Sequence, residues 1–151
     1  MAEISFRPFD AEDPSRVVAW YRGDREGFSS FMGTDIPDEF TCTLSLNTIL
    51  QGNAEGRGVF RMADRGDDTI GFVGLSNVTP DRKYGQPHLY VAKDHRRYSF
   101  RVGRAAEELA KELGLRYFMI TVEYDNHRAI SFAKRMGYEE IQRTSFMKEL
   151  Q

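Results

Sequence analysis

Arg96, Arg97, Arg101 and Arg104 crowd one short segment, HRRYSFRVGRA (95–105), which joins an apolar extended run to the clearest helical run in the chain. A helix N-terminus presents free backbone N–H groups and the positive end of the helix dipole, which suits a phosphate. Ser99 and Gly103 would let the backbone approach such a group closely. The competing reading is that arginines ahead of a helix are solvated and bind nothing. A second junction has similar character. The apolar run YFMITVEY (117–124) stops at Asp125-Asn126, both helix-capping types, and Ala129, Ile130, Ala133 and Met136 recur at helical spacing before Gly137. Tyr138 then starts another extended segment. Asn126 suits an N-cap whether the strand end is plain punctuation or the edge of a ligand site.

The elements that must position these segments follow from pattern. ISFRPF (4–9) alternates as a first strand, and Asp13-Pro14-Ser15 opens a helix bearing Val17, Val18 and Tyr21. Residues 22–37 are rich in Gly and Ser yet hold Phe28, Phe31 and Met32, the composition of a loop that folds over something. Pro37-Asp38-Glu39 starts a second helix towards Gly52. Residues 58–64 and 69–78 read as strands joined by a hairpin turn at 65–68. The Arg-Gly-Asp triplets at 22–24 and 65–67 read as polar turns rather than adhesion signals. After a Pro/Gly-rich connection, HLYVAK (88–93) is a strand, and Val102, Ala105, Ala106, Leu109, Ala110 and Leu113 mark a helix closed by Gly114. Residues 138–150 read as one last strand. The order β-α-α-β-β-β-α-β-α-β predicts an α+β fold with a mixed sheet and helices on its faces. The helical crossover makes strands 88–93 and 117–124 parallel.

Composition bounds the function. With 151 residues, one domain spanning 1–151 is expected. Lys+Arg 21 against Asp+Glu 23 gives a net charge of −2, which argues against nucleic acid or membrane as partner. A single cysteine, Cys42, excludes an internal disulfide and a cysteine zinc cluster, and His88, His95 and His127 lack metal-ligand spacing, so no metal is expected. Cys42, inside a helix without a nearby histidine in sequence, reads as core filler. The start, MAEISFRPFDAED, carries no basic patch followed by an apolar stretch, and a cytoplasmic location is expected.

The stretches YVAKDHRRYSFRVGRAAEELAKELG and ITVEYDNHRAISFAKRMGYEE, in this order of elements, resemble the GNAT superfamily of acyl-CoA-dependent N-acyltransferases. The likeness in element order covers nearly the whole chain, and the motif likeness covers about residues 88–140. The resemblance implies a mostly antiparallel sheet that splays between its fourth and fifth strands, with the pantetheine arm of acetyl-CoA in the gap. It implies that Tyr90 and Val91 offer backbone groups to that arm. It assigns Arg96, Arg97, Tyr98, Ser99, Phe100, Arg101, Val102, Gly103 and Arg104 to the pyrophosphate loop. Asn126, Ala129 and Ala133 then form the far wall, matching the family's Asn-x-x-Ala segment, with Gly137-Tyr138 as its Gly-Phe/Tyr pair. Two departures stand out. No frame of the loop keeps both family glycines, so its length or path is altered. Where many members place a tyrosine that protonates the leaving thiolate, this chain has Ala133.

Acyl transfer to an amine needs a neutral nucleophile and so a base or a water path to one. His88 on the gap-lining strand and Glu123 at the end of the facing strand are the candidates, and Tyr124 is a substitute acid. The bland alternatives are a structural histidine, a solvent-facing carboxylate and plain packing. Asp24, Glu26, Asp35, Asp38 and Glu39 surround the Phe28–Met32 stretch and would suit a cationic amine, if they are more than a solubilising surface. The expected activity is direct N-acetyl transfer from acetyl-CoA to a primary amine on a small molecule or a protein. The alternative is a CoA-binding regulatory protein that has lost catalysis. A homodimer is compatible with either.

Overall fold

The computed structural model describes residues 3–32, 36–56, 58–76, 78–79, 81, 84–122, 124–142 and 145–150. The strands are β1 (Ile4–Arg7), β2 (Val59–Arg65), β3 (Asp68–Ser76), β4 (Tyr84–Val91), β5 (Tyr117–Thr121), β6 (Glu139–Gln142) and β7 (Ser145–Glu149). The helices are α1 (Asp13–Gly23), α2 (Arg25–Met32), α3 (Glu39–Ala54), α4 (Ser99–Glu112) and α5 (His127–Arg135), with a 3-10 helix at Lys93–Tyr98. One sheet runs in the order β1-β2-β3-β4-β5-β7-β6, antiparallel throughout except for the parallel pair β4–β5. It is the expected α+β architecture.

Helices cover both faces, and strand alternation sends successive side chains to opposite sides. Phe60, Met62, Phe72 and Tyr90 point into one core with Val17 and Tyr21 of α1, Phe28 of α2, and Cys42 and Leu46 of α3. Ala63, Val73 and Val91 point the other way, onto Val102 and Ala106 of α4. Val122 and Phe146 meet Ala133 of α5 on that same far face. Local signals punctuate the chain as physics requires. Asp38 caps α3 by accepting the Thr41 N–H at 2.7 Å. Gly114 (φ 86°) and Gly137 (φ 88°) end α4 and α5 in the left-handed region, where a Cβ would be strained.

Four elements differ from expectation. Residues 25–32 form a helix rather than a loop. Gly27, Ser29 and Ser30 weaken its intrinsic propensity, and burial of Phe28 (3 % exposed), 4.9 Å from the Tyr90 ring, overrides them. β4 begins at Tyr84 instead of His88, absorbing Pro87; the strand is unpaired on one side there, and such an edge tolerates proline. The expected last strand is two strands, of which β7 inserts between β5 and β6. β5 also ends at Thr121, short of the expected Tyr124.

An ion cluster pins α1 to the sheet. Asp13 is fully buried and accepts from Arg7 Nη1 and Nη2 at 2.8 and 3.0 Å and from Arg16, while Arg7 Nε donates to Asp64 at 2.9 Å. Burial pushes the Asp13 carboxyl up, but Arg7, the Asp10 amide and Arg16 outweigh it and hold the group below its ordinary value. A depressed folded pKa stabilises the fold above the unfolded pKa of about 3.9, and this contribution is lost as pH falls through the folded value. Asp13→Ala should cost about 3 kcal/mol at pH 7, since Arg7 keeps Asp64 as a partner. Urea midpoints at pH 7 and pH 3 check both statements; equal loss at the two pH values contradicts them.

Candidate active site

β4 and β5 pair at Tyr84↔Tyr117 and Gly85↔Phe118 and then part. Each keeps its outer neighbour: β4 stays on β3 as far as Val91↔Gly71, and β5 on β7 as far as Thr121↔Ser145. The inner edges therefore carry main-chain N–H and C=O groups that do not bond to each other and need partners. A cleft of about 130 Å³ lies in this opening. Its walls are apolar and small where the helices face it: Gly103 and Ala106 from α4, Ala129 and Ala133 from α5. Gly103 is tight, since a Cβ there would stand 3.0 Å from Met136 Cε. Small residues on both helices thus set the cleft's width. Among the described lining residues the polar side chains are few: Gln86, His88, Thr121, Arg128 and Tyr138. A mostly apolar cleft with a few convergent polar groups has the character of a ligand site.

His88 is the cleft's titratable group near neutrality. Alternation along β4 puts it on the face of Tyr90, and its Nε2 lies 2.7 Å from Ser76 Oγ on β3. Burial lowers its pKa, so the ring is neutral at pH 7 and able to accept a proton. Tyr138 differs. Burial and then Glu107 push its phenol well above its ordinary value, so it holds its proton and is a poor acid. Ala133, which lines the cleft, is 1 % exposed and carries no hydroxyl.

The remaining expected residues are scattered by their surroundings. Tyr90 is fully buried and its hydroxyl donates to Asp24 Oδ2 at 3.1 Å, so its side chain serves the core while its backbone belongs to the cleft-lining strand. Val91 packs on Val102. The arginine segment winds into the 3-10 helix, and the Ser99 N–H is bonded to the Arg96 carbonyl. That removes one amide from the cradle expected around a pyrophosphate. Arg96 itself turns back to an ion pair with Asp24, beneath Gly27, where a Cβ would collide with both side chains. Arg97 and Arg101 lie against the Tyr98 ring at 4.8 and 5.7 Å, joined by Arg65 of β2 at 4.4 Å. Tyr98, like Ile4 and Phe6 of β1, packs against the core under α4, and none of these three arginines is among the described residues of the cleft lining. Arg104 is exposed. On the cleft flank, Phe100 stacks on Phe132 of α5 at 5.1 Å with Arg135 over it at 4.4 Å.

Asn126 caps α5 by accepting the Ala129 N–H at 3.2 Å. Asn126 is thus the start of α5, and the described cleft lining takes Arg128 and Ala129 from this helix rather than Asn126 itself. Tyr124 is 68 % exposed and does not line the cleft. Glu123 lies outside the described residues, as does Asp35. The other carboxylates around α2 are largely engaged: Asp24 by Arg96, Asp38 by the α3 cap, and Glu39 by Arg22 at 2.5 Å. Glu26 stays exposed. Cys42 is buried and its thiol is pushed up, first by burial, so it is no thiolate nucleophile. Among the described residues no group of three or more His, Cys, Asp or Glu could hold a metal, and no helix is long and apolar enough to cross a membrane.

Sequence reasoning missed Ser76, Arg128 and Phe132. Ser76 meets His88 only through the β3–β4 register, which sequence pattern does not specify. Arg128 sits beside Asn126 and Ala129, and helical spacing would have placed it near the same wall.

Known proteins share this fold. The family profile described as an acetyltransferase (GNAT) domain matches residues 3–139. A Salmonella typhimurium acetyltransferase that modifies the N-terminal serine of 50S ribosomal protein L7/L12 superposes with TM-score 0.80, 10% identity, and coverage of 100% of this chain and 97% of that one. Spermidine N-acetyltransferase from Vibrio cholerae, solved with CoA and spermine, gives TM-score 0.79 and 13% identity over 98% of this chain and 96% of that one. Mycobacterium smegmatis RimJ in complex with CoA-disulfide gives 0.75 and 11% over 97% and 81%. No curated protein sequence matches the chain. At these identities the structural likeness speaks for the fold, while the profile spans most of the chain, and the protein belongs to the GNAT acetyltransferase family.

Proposed function

We infer that the protein is an N-acetyltransferase, moving an acetyl group from acetyl-CoA to a primary amine by direct transfer with no covalent enzyme intermediate. One observation carries this reading: the β4–β5 pair opens after two residue pairs onto an apolar cleft with a neutral histidine on its lining. The unpaired strand edges suit the amides of a pantetheine arm, and Gly103, Ala106, Ala129 and Ala133 leave room for its chain. The phosphate end would meet the N-terminus of α4. Arg128 of α5 is the charged side chain on the described cleft lining, whereas Arg96 pairs with Asp24 and Arg97 and Arg101 lie against Tyr98. His88 takes the proton from the acceptor ammonium, directly or through water.

The acceptor is either a small amine or a protein N-terminus, the two chemistries named for the Vibrio cholerae and Salmonella typhimurium neighbours. A site in a single domain of the cytoplasm, working as monomer or homodimer, completes the reading. Release of CoA thiol from acetyl-CoA should be followed with spermine and with a peptide bearing N-terminal serine, the acetylated product being identified by mass. Ala133 supports a second reading, a CoA-binding protein without catalysis. Tight CoA binding with no thiol release from either amine would favour it.

A further inference from the structure

We propose that Ser76 is a positioning residue that holds the His88 ring with its proton on Nε2, leaving the Nδ1 lone pair directed to the cleft as the proton acceptor. Its use in catalysis rests on the acyltransferase reading, but its test does not.

The contact is specific. His88 faces Gly74 across the β3–β4 ladder and Ser76 faces Gln86, so Ser76 reaches diagonally along the same face to Nε2 at 2.7 Å. A Cβ at Gly74 would sit 3.8 Å from His88 Cβ and 3.5 Å from Phe60 Cδ2, so this face of the ladder is closely packed beside His88. Among the described residues nothing hydrogen-bonds Nδ1, and that nitrogen is not among the buried polar atoms without partners. His88 is half-buried and is among the residues that line the cleft.

Two tautomers could make the 2.7 Å bond. If Ser76 donated to Nε2, the ring proton would sit on Nδ1 and face a lining whose described residues include no carboxylate to receive it. If Nε2–H donates to Oγ, the Nδ1 lone pair faces the cleft. Only this second bond survives protonation of the ring, because an imidazolium carries N–H on both nitrogens and the serine oxygen still accepts. It then becomes charge-assisted and stronger. In the step served, the amine nitrogen bonds to the acetyl carbon as the carbon–sulfur bond breaks. The nitrogen's proton goes to Nδ1, and the thiolate leaves with the electron pair.

The full chain with 15N-labelled histidine decides the matter by NMR of the imidazole nitrogens, with His88 assigned against His88→Gln. Wild type should show a protonated Nε2 and an unprotonated Nδ1. Ser76→Ala should mix the tautomers and Ser76→Thr should restore one. With a working acceptor, Ser76→Ala should lower kcat about tenfold with KM for acetyl-CoA unchanged. A protonated Nδ1 in wild type, or the same tautomer in Ser76→Ala, overturns the proposal. Absence of acetyl transfer counts against the acyltransferase reading alone, since the spectra are read on the free protein.

Discussion

His88→Gln is expected to lower kcat by about 10² to 10⁴ while leaving the KM for acetyl-CoA nearly unchanged. Glutamine keeps a polar group beside Ser76 at similar volume but cannot take a proton, so the substitution isolates base chemistry from shape. The cleft has little to compensate with. Tyr138 holds its proton, Ala133 has none to give, and Tyr124 lies in solvent. The pH profile carries the sign. Burial places the His88 pKa below the ordinary value of about 6.5, and the neutral ring is the active form. Turnover in wild type should therefore rise with pH through a limb below 6.5 and stay level above it. That limb should vanish in His88→Gln. A substitution that changes kcat less than about threefold, with the limb intact, shows that His88 is structural and that positioning alone drives transfer.

Acetyl-CoA at about 100 times its Kd should stabilise the fold by about 2.7 kcal/mol, which for a chain of this size raises Tm by roughly 5 to 10 °C. The ligand binds the folded state through a cleft that the unfolded chain lacks, so the shift must grow with ligand concentration. Ala129→Trp tests the location. Ala129 lines the cleft and is only half-buried, so an indole there fills the opening without breaking the core. The variant should melt near the wild-type temperature without ligand and lose the ligand-dependent shift. An unchanged shift in Ala129→Trp places CoA elsewhere, and no shift in wild type removes both the enzyme and the CoA-binding readings.

Much of the site's frame was legible before any coordinates. The crossover through 102–113 forced β4 and β5 to be parallel, and Asn126 with Gly137 bounded α5, because capping and left-handed glycine are local demands that a few residues satisfy alone. The resemblance to the acyltransferase family implied that Gly103, Ala129 and Ala133 border the gap, and all three line the cleft. The arginine segment shows where such reasoning stops. Residue types and a helix N-terminus pointed to a phosphate loop, yet a long side chain goes to whatever partner the fold brings near. For Arg96 that partner is Asp24, distant by 72 positions in sequence.

By itself, then, the sequence determined the presence and order of β1 to β5, α1 and α3 to α5, since these depend on periodicity and caps within a few residues. Tertiary structure alone decided that residues 25–32 become helix, that β7 inserts beside β5, and that His88 meets Ser76. Each of these depends on register or burial across the sheet, where contacts distant in the chain outweigh local preference.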